Sequence, residues 1–296
     1  MNLWQEYRQP TSLSEAIEDL KNAPSPAVPV AGGTDILLDM RQGRHAPAKT
    51  LIDLTEIPEM KTIELIDGEL FIGAAVPVNR IIQNELVVNN AQALVEACDL
   101  IAGPQVRNTA TLGGNVAHAL PAADGTIAMV ALDAVAEIAS SDGRRRIPFV
   151  DLFAGPGKST LDKGAELIAG FYISETELGQ ASCFKRIMRP QGVALPILNC
   201  AVWVQREDNL IADIHIAVGP GGPTPFRATE AEAVLRGKEL TEDIFETAST
   251  TLVSQAKFRT SPRRATADYR KYIVLGLFRE TFDTAWQRAV NEHDEL

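Results

Sequence analysis

The sequence predicts an α+β protein in which two small α/β lobes are followed by a C-terminal α+β domain, an antiparallel sheet with helices. Three observations lead there. At 296 residues the chain is long for one domain. Its first part alternates short β-type runs with helix-period runs, and beyond about residue 177 an alternating strand pair comes first and helical patterns follow.

The first lobe is read over residues 1–55. Ser12 and Glu15 stand at capping-box spacing, and Leu13, Ala16, Ile17 and Leu20 recur at helical spacing until Pro24 and Pro26 break the pattern. Val28-Pro29-Val30 is a short strand running into Ala31-Gly32-Gly33-Thr34-Asp35. Ile36, Leu37, Leu38 and Met40 then suggest a short helix, and residues 50–54 a second strand.

The second lobe is read over residues 56–176. It opens with a hairpin, residues 62–66 and 70–74, around Asp67-Gly68, a pair suited to the positive φ angles of a tight turn. Helices are expected from Pro77 and over 92–101. Residues 103–115 carry too many turn formers for regular structure and read as one long loop, a kind of segment that is often functional. A helix (126–132), a strand (134–139), a turn at Ser141-Asp142-Gly143 and a last strand (166–173) complete it. Arg144-Arg145-Arg146 reads as a solvated charge run.

The third domain is read over residues 177–296. Residues 199–205 and 211–218 alternate as a hairpin across Asp208-Asn209, followed by helical patterns at 229–236, 242–255 and 267–288.

Composition narrows the function. With 45% hydrophobic and 23% charged residues the chain is globular rather than disordered or fibrous. Acidic residues outnumber basic ones 39 to 28, a formal charge of −11 that disfavours nucleic-acid partners, because phosphate backbones are bound by Lys and Arg. No apolar run approaches the roughly 18–20 residues of a membrane span. Residues 1–10 lack the basic and apolar regions of a signal peptide, which predicts a cytoplasmic chain. Cys98, Cys183 and Cys200 show no disulfide or cluster spacing, and His45, His118, His215 and His293 show no metal-ligand spacing, so no metal site is expected.

Two elements carry candidate chemistry, Ala31-Gly32-Gly33-Thr34-Asp35 and Thr111-Leu112-Gly113-Gly114-Asn115. Glycine lets the backbone approach a ligand closely, so that successive N–H groups converge on phosphate oxygens, with Thr34, Thr111 and Asn115 adding side-chain bonds. The ligand so indicated is a nucleotide. The plainer reading is that each pair only makes a turn. Neither element matches the P-loop or the Rossmann fingerprint.

The strings VPVAGGTDILL from Val28, QVRNTATLGGNVA from Gln105 and Pro121-Ala122-Ala123-Asp124 resemble the FAD-binding signatures of the medium subunit of molybdenum hydroxylases, the carbon monoxide dehydrogenase, xanthine dehydrogenase and 4-hydroxybenzoyl-CoA reductase group. DLFAGPGKSTL from Asp151 and Phe184-Lys185-Arg186 extend the similarity over essentially the whole chain. The resemblance implies a noncovalent FAD between the two lobes. It implies that Ala31, Gly32, Gly33, Thr34, Asp35 and Ile36 form one pyrophosphate loop, and that Ala110, Thr111, Gly113, Gly114 and Asn115 form the other. By the same resemblance Asp124 contacts the adenosine part, while Ile101, Ile168 and Lys185 line the adenine or flavin ring.

The chain lacks the cysteine-rich insertion that holds a [4Fe–4S] cluster in the 4-hydroxybenzoyl-CoA reductase branch. The resemblance therefore places the other redox centres on partners, a molybdopterin-binding large subunit and a [2Fe–2S] small subunit. NAD⁺, oxygen, a quinone or another carrier would serve as acceptor. No acid, base or nucleophile of the protein is required, and no catalytic residue is assigned. His118 is read as a structural loop histidine. Lys185, Arg186 and Arg189 are read either as cations that stabilise reduced flavin or, for the two arginines, as surface salt-bridge partners. Two other readings stay open: a self-sufficient FAD-dependent reductase of the related two-lobed fold, and a scaffold that has lost its flavin.

Overall fold

A computed structural model describes residues 2–189, 195–262 and 264–289. Residues 290–296 of the expected third domain, His293 among them, lie outside the described residues. The first lobe runs β1 (Glu6–Arg8), α1 (Leu13–Asn22), β2 (Ala27–Val30), α2 (Ile36–Arg41) and β3 (Thr50–Asp53), and its three strands pair in parallel in the order β1-β3-β2. The Ser12 hydroxyl caps α1 by accepting from the Glu15 amide at 3.2 Å. The Glu15 carboxylate accepts from the amide of Thr11 rather than of Ser12, so the reciprocal bond falls one residue early. Leu13, Ala16 and Leu20 are the face that α1 buries.

The second lobe contains β4 (Ile63–Ile66), β5 (Glu69–Gly73), six helices, β6 (Val135–Ser140), β7 (Gly143–Pro148), a minor hairpin of β8 (Phe153–Gly155) and β9 (Lys158–Ser159), and β10 (Leu167–Ser174). Its main sheet has the order β4-β5-β10-β6-β7 and every pair in it is antiparallel. Asp67 and Gly68 take φ of 53° and 81°, the left-handed turn expected of the pair. The helices are α3 (Val78–Gln83), α4 (Glu85–Asn90), α5 (Gln92–Asp99), α6 (Pro104–Arg107), α7 (Leu112–Ala117) and α8 (Asp124–Ala131).

One expectation changes here and another is refined. Residues 103–115 do not form one irregular loop but hold α6 and the start of α7. Pro104 occupies the first turn of α6, where its missing N–H costs nothing, and the Thr111 hydroxyl caps α7 by accepting from the Gly114 amide at 3.1 Å. The Arg144-Arg145-Arg146 run is an edge strand, β7, whose guanidinium groups are paired: Arg144 with Glu59 and Glu137, Arg145 with Glu166, Arg146 with Glu69. A charged edge resists pairing with another sheet, which matters more than the stability of exposed ion pairs, about 0–1 kcal/mol each.

The third domain pairs β11 (Gln180–Met188), β12 (Pro196–Glu207), β13 (Leu210–Gly219) and β14 (Phe226–Arg227) in that order, with β15 (Lys238–Glu239) beside β13. Helices α9 (Thr229–Leu235), α10 (Glu242–Gln255) and α11 (Ala267–Arg288) cover one face. Strand β11 is additional to the expected hairpin. Both faces of this sheet are covered, so β11 lacks a clean polar alternation to announce it. Cys183, Cys200 and Val202 join the core beneath α10 and α11. The neighbours of opposite parity, Phe184, Ala201 and Ala217, join the large core shared with α1 and the central sheet of the second lobe. Helix α8, buried along its whole length, lies between α5 on one side and β12 and β13 on the other.

Candidate functional site

Both double-glycine elements lie where the first two lobes meet. Residues 31–35 leave β2 and turn into α2, while residues 108–111 link α6 to α7, whose first residues are 112–115. The backbones touch: a Cβ built on Gly32 would stand 2.1 Å from the Thr109 carbonyl oxygen and 2.8 Å from the Ala110 Cα. Only a residue without a side chain allows this approach. Gly33 follows at φ +66°, in the left-handed region. The amides of Gly32, Gly33 and Thr34 have no acceptor among the described residues. Neither of the two elements contains a Lys or Arg.

The second element is more self-contained. The Gly113 amide donates to the Ala74 carbonyl at 2.9 Å, and a Cβ there would be 2.5 Å from the same oxygen. The Gly114 amide is taken by Thr111. What remains for a ligand is the Asn115 side chain, whose Oδ1 is buried without a partner, next to the position a Gly125 Cβ would fill. Ala110 is half-buried beside Gly32, and its carbonyl accepts from the Val78 amide.

Arg107 fixes the approach to this element. Its guanidinium donates to the carbonyls of Asp99, Ile101 and Ala102, satisfying the end of α5 and holding Ala102 at φ 46°. Ile101 is thereby pinned, half-buried, next to the loop.

Asp35 begins α2, but its carboxylate makes no capping bond. It faces His118 of the second lobe at 3.6 Å, and Asp39 approaches the other ring nitrogen at 3.9 Å. The bond to Asp35, followed by the Asp35 and Asp39 charges, raises the His118 pKa against the opposing effects of burial and Arg44; the same contact lowers that of Asp35.

Asp124 opens α8 at 6% exposure. It is held by the Arg186 guanidinium of β11, itself buried, and by the Asn199 amide of β12 at 2.7 Å. Burial raises its pKa, and the Arg186 charge and the bonds from Asn199 and Arg186 hold that rise back. Arg186 is thus a buried bridge between α8 and the third domain rather than a surface pair.

Three residues sit apart from the loops. Ile168 belongs to the core of the central sheet at a bulge in β10. Ile36 packs with Val30 and Leu51 in the small core of the first lobe. The Lys185 ammonium lies on Glu280 of α11 at 3.1 Å, on the face of β11 turned away from the second lobe. Strand parity decides this, since Ser182, Phe184 and Arg186 point to the second lobe and Cys183 and Lys185 to the helices. Asn199 was not anticipated; its place on the same sheet face as Ala201 was the available signal.

The free amides of Gly32 to Thr34, the orphaned Asn115 oxygen and the close approach of two lobes fit a nucleotide-type cofactor. A family described as the FAD binding domain in molybdopterin dehydrogenase matches residues 3–173, and the CO dehydrogenase flavoprotein C-terminal domain matches residues 182–285. The chain belongs to this molybdopterin dehydrogenase flavoprotein family. It is 31% identical to the nicotine 6-hydroxylase medium subunit of Paenarthrobacter nicotinovorans, covering 95% of this chain and 97% of the relative. It is 28% identical to the xanthine dehydrogenase FAD-binding subunit of Escherichia coli O157:H7, covering 94% and 95%. A carbon monoxide dehydrogenase structure from Hydrogenophaga pseudoflava superposes with a TM-score of 0.91 at 29% identity, over 96% of this chain and 98% of that one. FAD is the cofactor, and the chain is the flavoprotein component of an oxidoreductase.

Proposed function

We propose that this chain is the electron-transfer subunit of a molybdenum hydroxylase complex. It would lie between a [2Fe–2S] small subunit, fed by a molybdopterin-binding large subunit, and an external acceptor such as NAD⁺, oxygen or a quinone. Bound FAD supplies the redox chemistry; the protein contributes position and electrostatics. Ala31 to Asp35 and Ala110 to Asn115 hold the cofactor, with Ile101 as a further contact; Ile36 and Ile168 are taken up by cores, Lys185 by Glu280, and Asp124 by Arg186 and Asn199. The observation that carries the reading is the backbone contact of Gly32 with Thr109 and Ala110, which brings three unpaired amides beside the segment that leads into α7 and Asn115. The medium-chain names of relatives support the partner assignment.

The proposed compartment is the cytoplasm. All three cysteines are free and buried, and burial pushes the Cys183 thiol up to about 12. No helix among the described residues is long and apolar enough to cross a membrane.

Tagged chain isolated from its native host tests the assignment. Flavin absorbance together with co-eluting iron and molybdenum is the expected result. Flavin on a chain without metal-bearing partners would point to the self-sufficient reductase, and partners without flavin to a scaffold.

A further inference from the structure

The diphosphate of FAD is a dianion, yet neither glycine element carries a Lys or Arg. The basic group that borders both is His118, which ends α7 three residues beyond Asn115 and faces Asp35, the last residue of the first element. Its surroundings are fully specified. Asp35 and Asp39 approach from α2, and Arg44, paired with Asp39 at 2.7 Å, from the segment after it; among the described residues these are the charged groups that act on His118. With the imidazole protonated these four side chains sum to zero. With it neutral they leave one net negative charge at the junction where the diphosphate is to bind.

We propose that His118 is a positioning residue of the FAD site: its imidazolium draws Asp35 and Asp39 of the first lobe onto the second and, together with Arg44, cancels their charge, making FAD affinity depend on pH. The inference rests on the reading that the two glycine elements hold FAD. Contact with Asp35 raises the His118 pKa, which favours the cation. FAD itself changes no charge there. A dianion binds better to the protonated form, so affinity is full below the His118 pKa and declines as pH rises through it. His118 and Asp35 are both partly exposed, which screens the effect to a modest size.

Apo full-length chain is titrated with FAD, following flavin fluorescence at low ionic strength between about pH 6 and about pH 9. The wild type is expected to lose about threefold to tenfold in affinity across that range. His118→Gln should show no slope and stay at the weaker, alkaline level, whereas His118→Lys should show no slope and stay near the tighter, acidic level. Asp35→Asn should shrink the slope, because the His118 pKa then falls. A pH-independent wild-type affinity, or a slope that survives in His118→Gln, overturns the proposal while leaving the site intact. Wild type that takes up no FAD at any pH, or binding unaffected by Gly32→Ala, overturns the site reading beneath it.

Discussion

At Gly32-Gly33-Thr34 three successive amides lack an acceptor among the described residues, whereas at Gly113-Gly114 both amides are already bonded, one to Ala74 across the second lobe and one to the Thr111 cap. The first pair lets one lobe lie against the other, with the Thr109 carbonyl where a Gly32 side chain would be; the second lets a short helix sit against the strand end at Ala74. Similar dipeptides thus answer to different constraints. One keeps donors available, and the other closes the framework that holds them in place.

Substitutions should separate these roles. Gly32→Ala is expected to have the largest effect, since its Cβ would lie 2.1 Å from a backbone oxygen and the lobes must part. FAD retained per chain after gel filtration should fall by at least about tenfold, about 1.4 kcal/mol, with circular dichroism unchanged. Full flavin content in this variant would show that lobe contact does not build the site. Gly113→Ala should act on the framework instead, lowering apo-protein stability in urea by about 1–3 kcal/mol through overpacking on Ala74. Gly33→Ala adds a strained φ and a Cβ 3.0 Å from the movable Leu37 side chain, so a cost of about 1 kcal/mol and an affinity loss of about fivefold are expected in the same flavin titration. Gly114→Ala should be nearly silent, within about twofold in FAD affinity, because the 3.1 Å contact with Thr111 is offset by the roughly 0.5–1 kcal/mol that a helix gains from Ala over Gly. If Gly114→Ala releases flavin as fully as Gly32→Ala, the second element's amides are ligand donors after all.

Much of this was legible in the residues. The α1 cap, the Asp67-Gly68 turn, and the periods of α10 and α11 are local signals, and the structure returns them nearly residue for residue. Both glycine pairs were visible too, but which of their amides stay free depends on Ala74 and Thr109, distant residues that no local pattern names. Strand β11 was hidden because sheets covered on both faces lose their alternation. Once it is in place, parity puts Arg186 rather than Lys185 towards the second lobe. Arg144 to Arg146 look solvated in one dimension, and their carboxylate partners, Glu59, Glu69, Glu137 and Glu166, are brought to them only by the sheet.

The buried bridge from Arg186 to Asp124 bears on how the chain opens and unfolds. The two family modules part between residues 173 and 182, yet Phe184, Ala201 and Ala217 share one core with the flavin lobes. Ser182 also accepts from the Ala93 amide. Removing the C-terminal module at that seam would take both Arg186 and Asn199 from Asp124 and bare the core face formed by Phe184, Ala201 and Ala217. The C-terminal module and the lobes it covers are therefore expected to open and unfold as one cooperative unit.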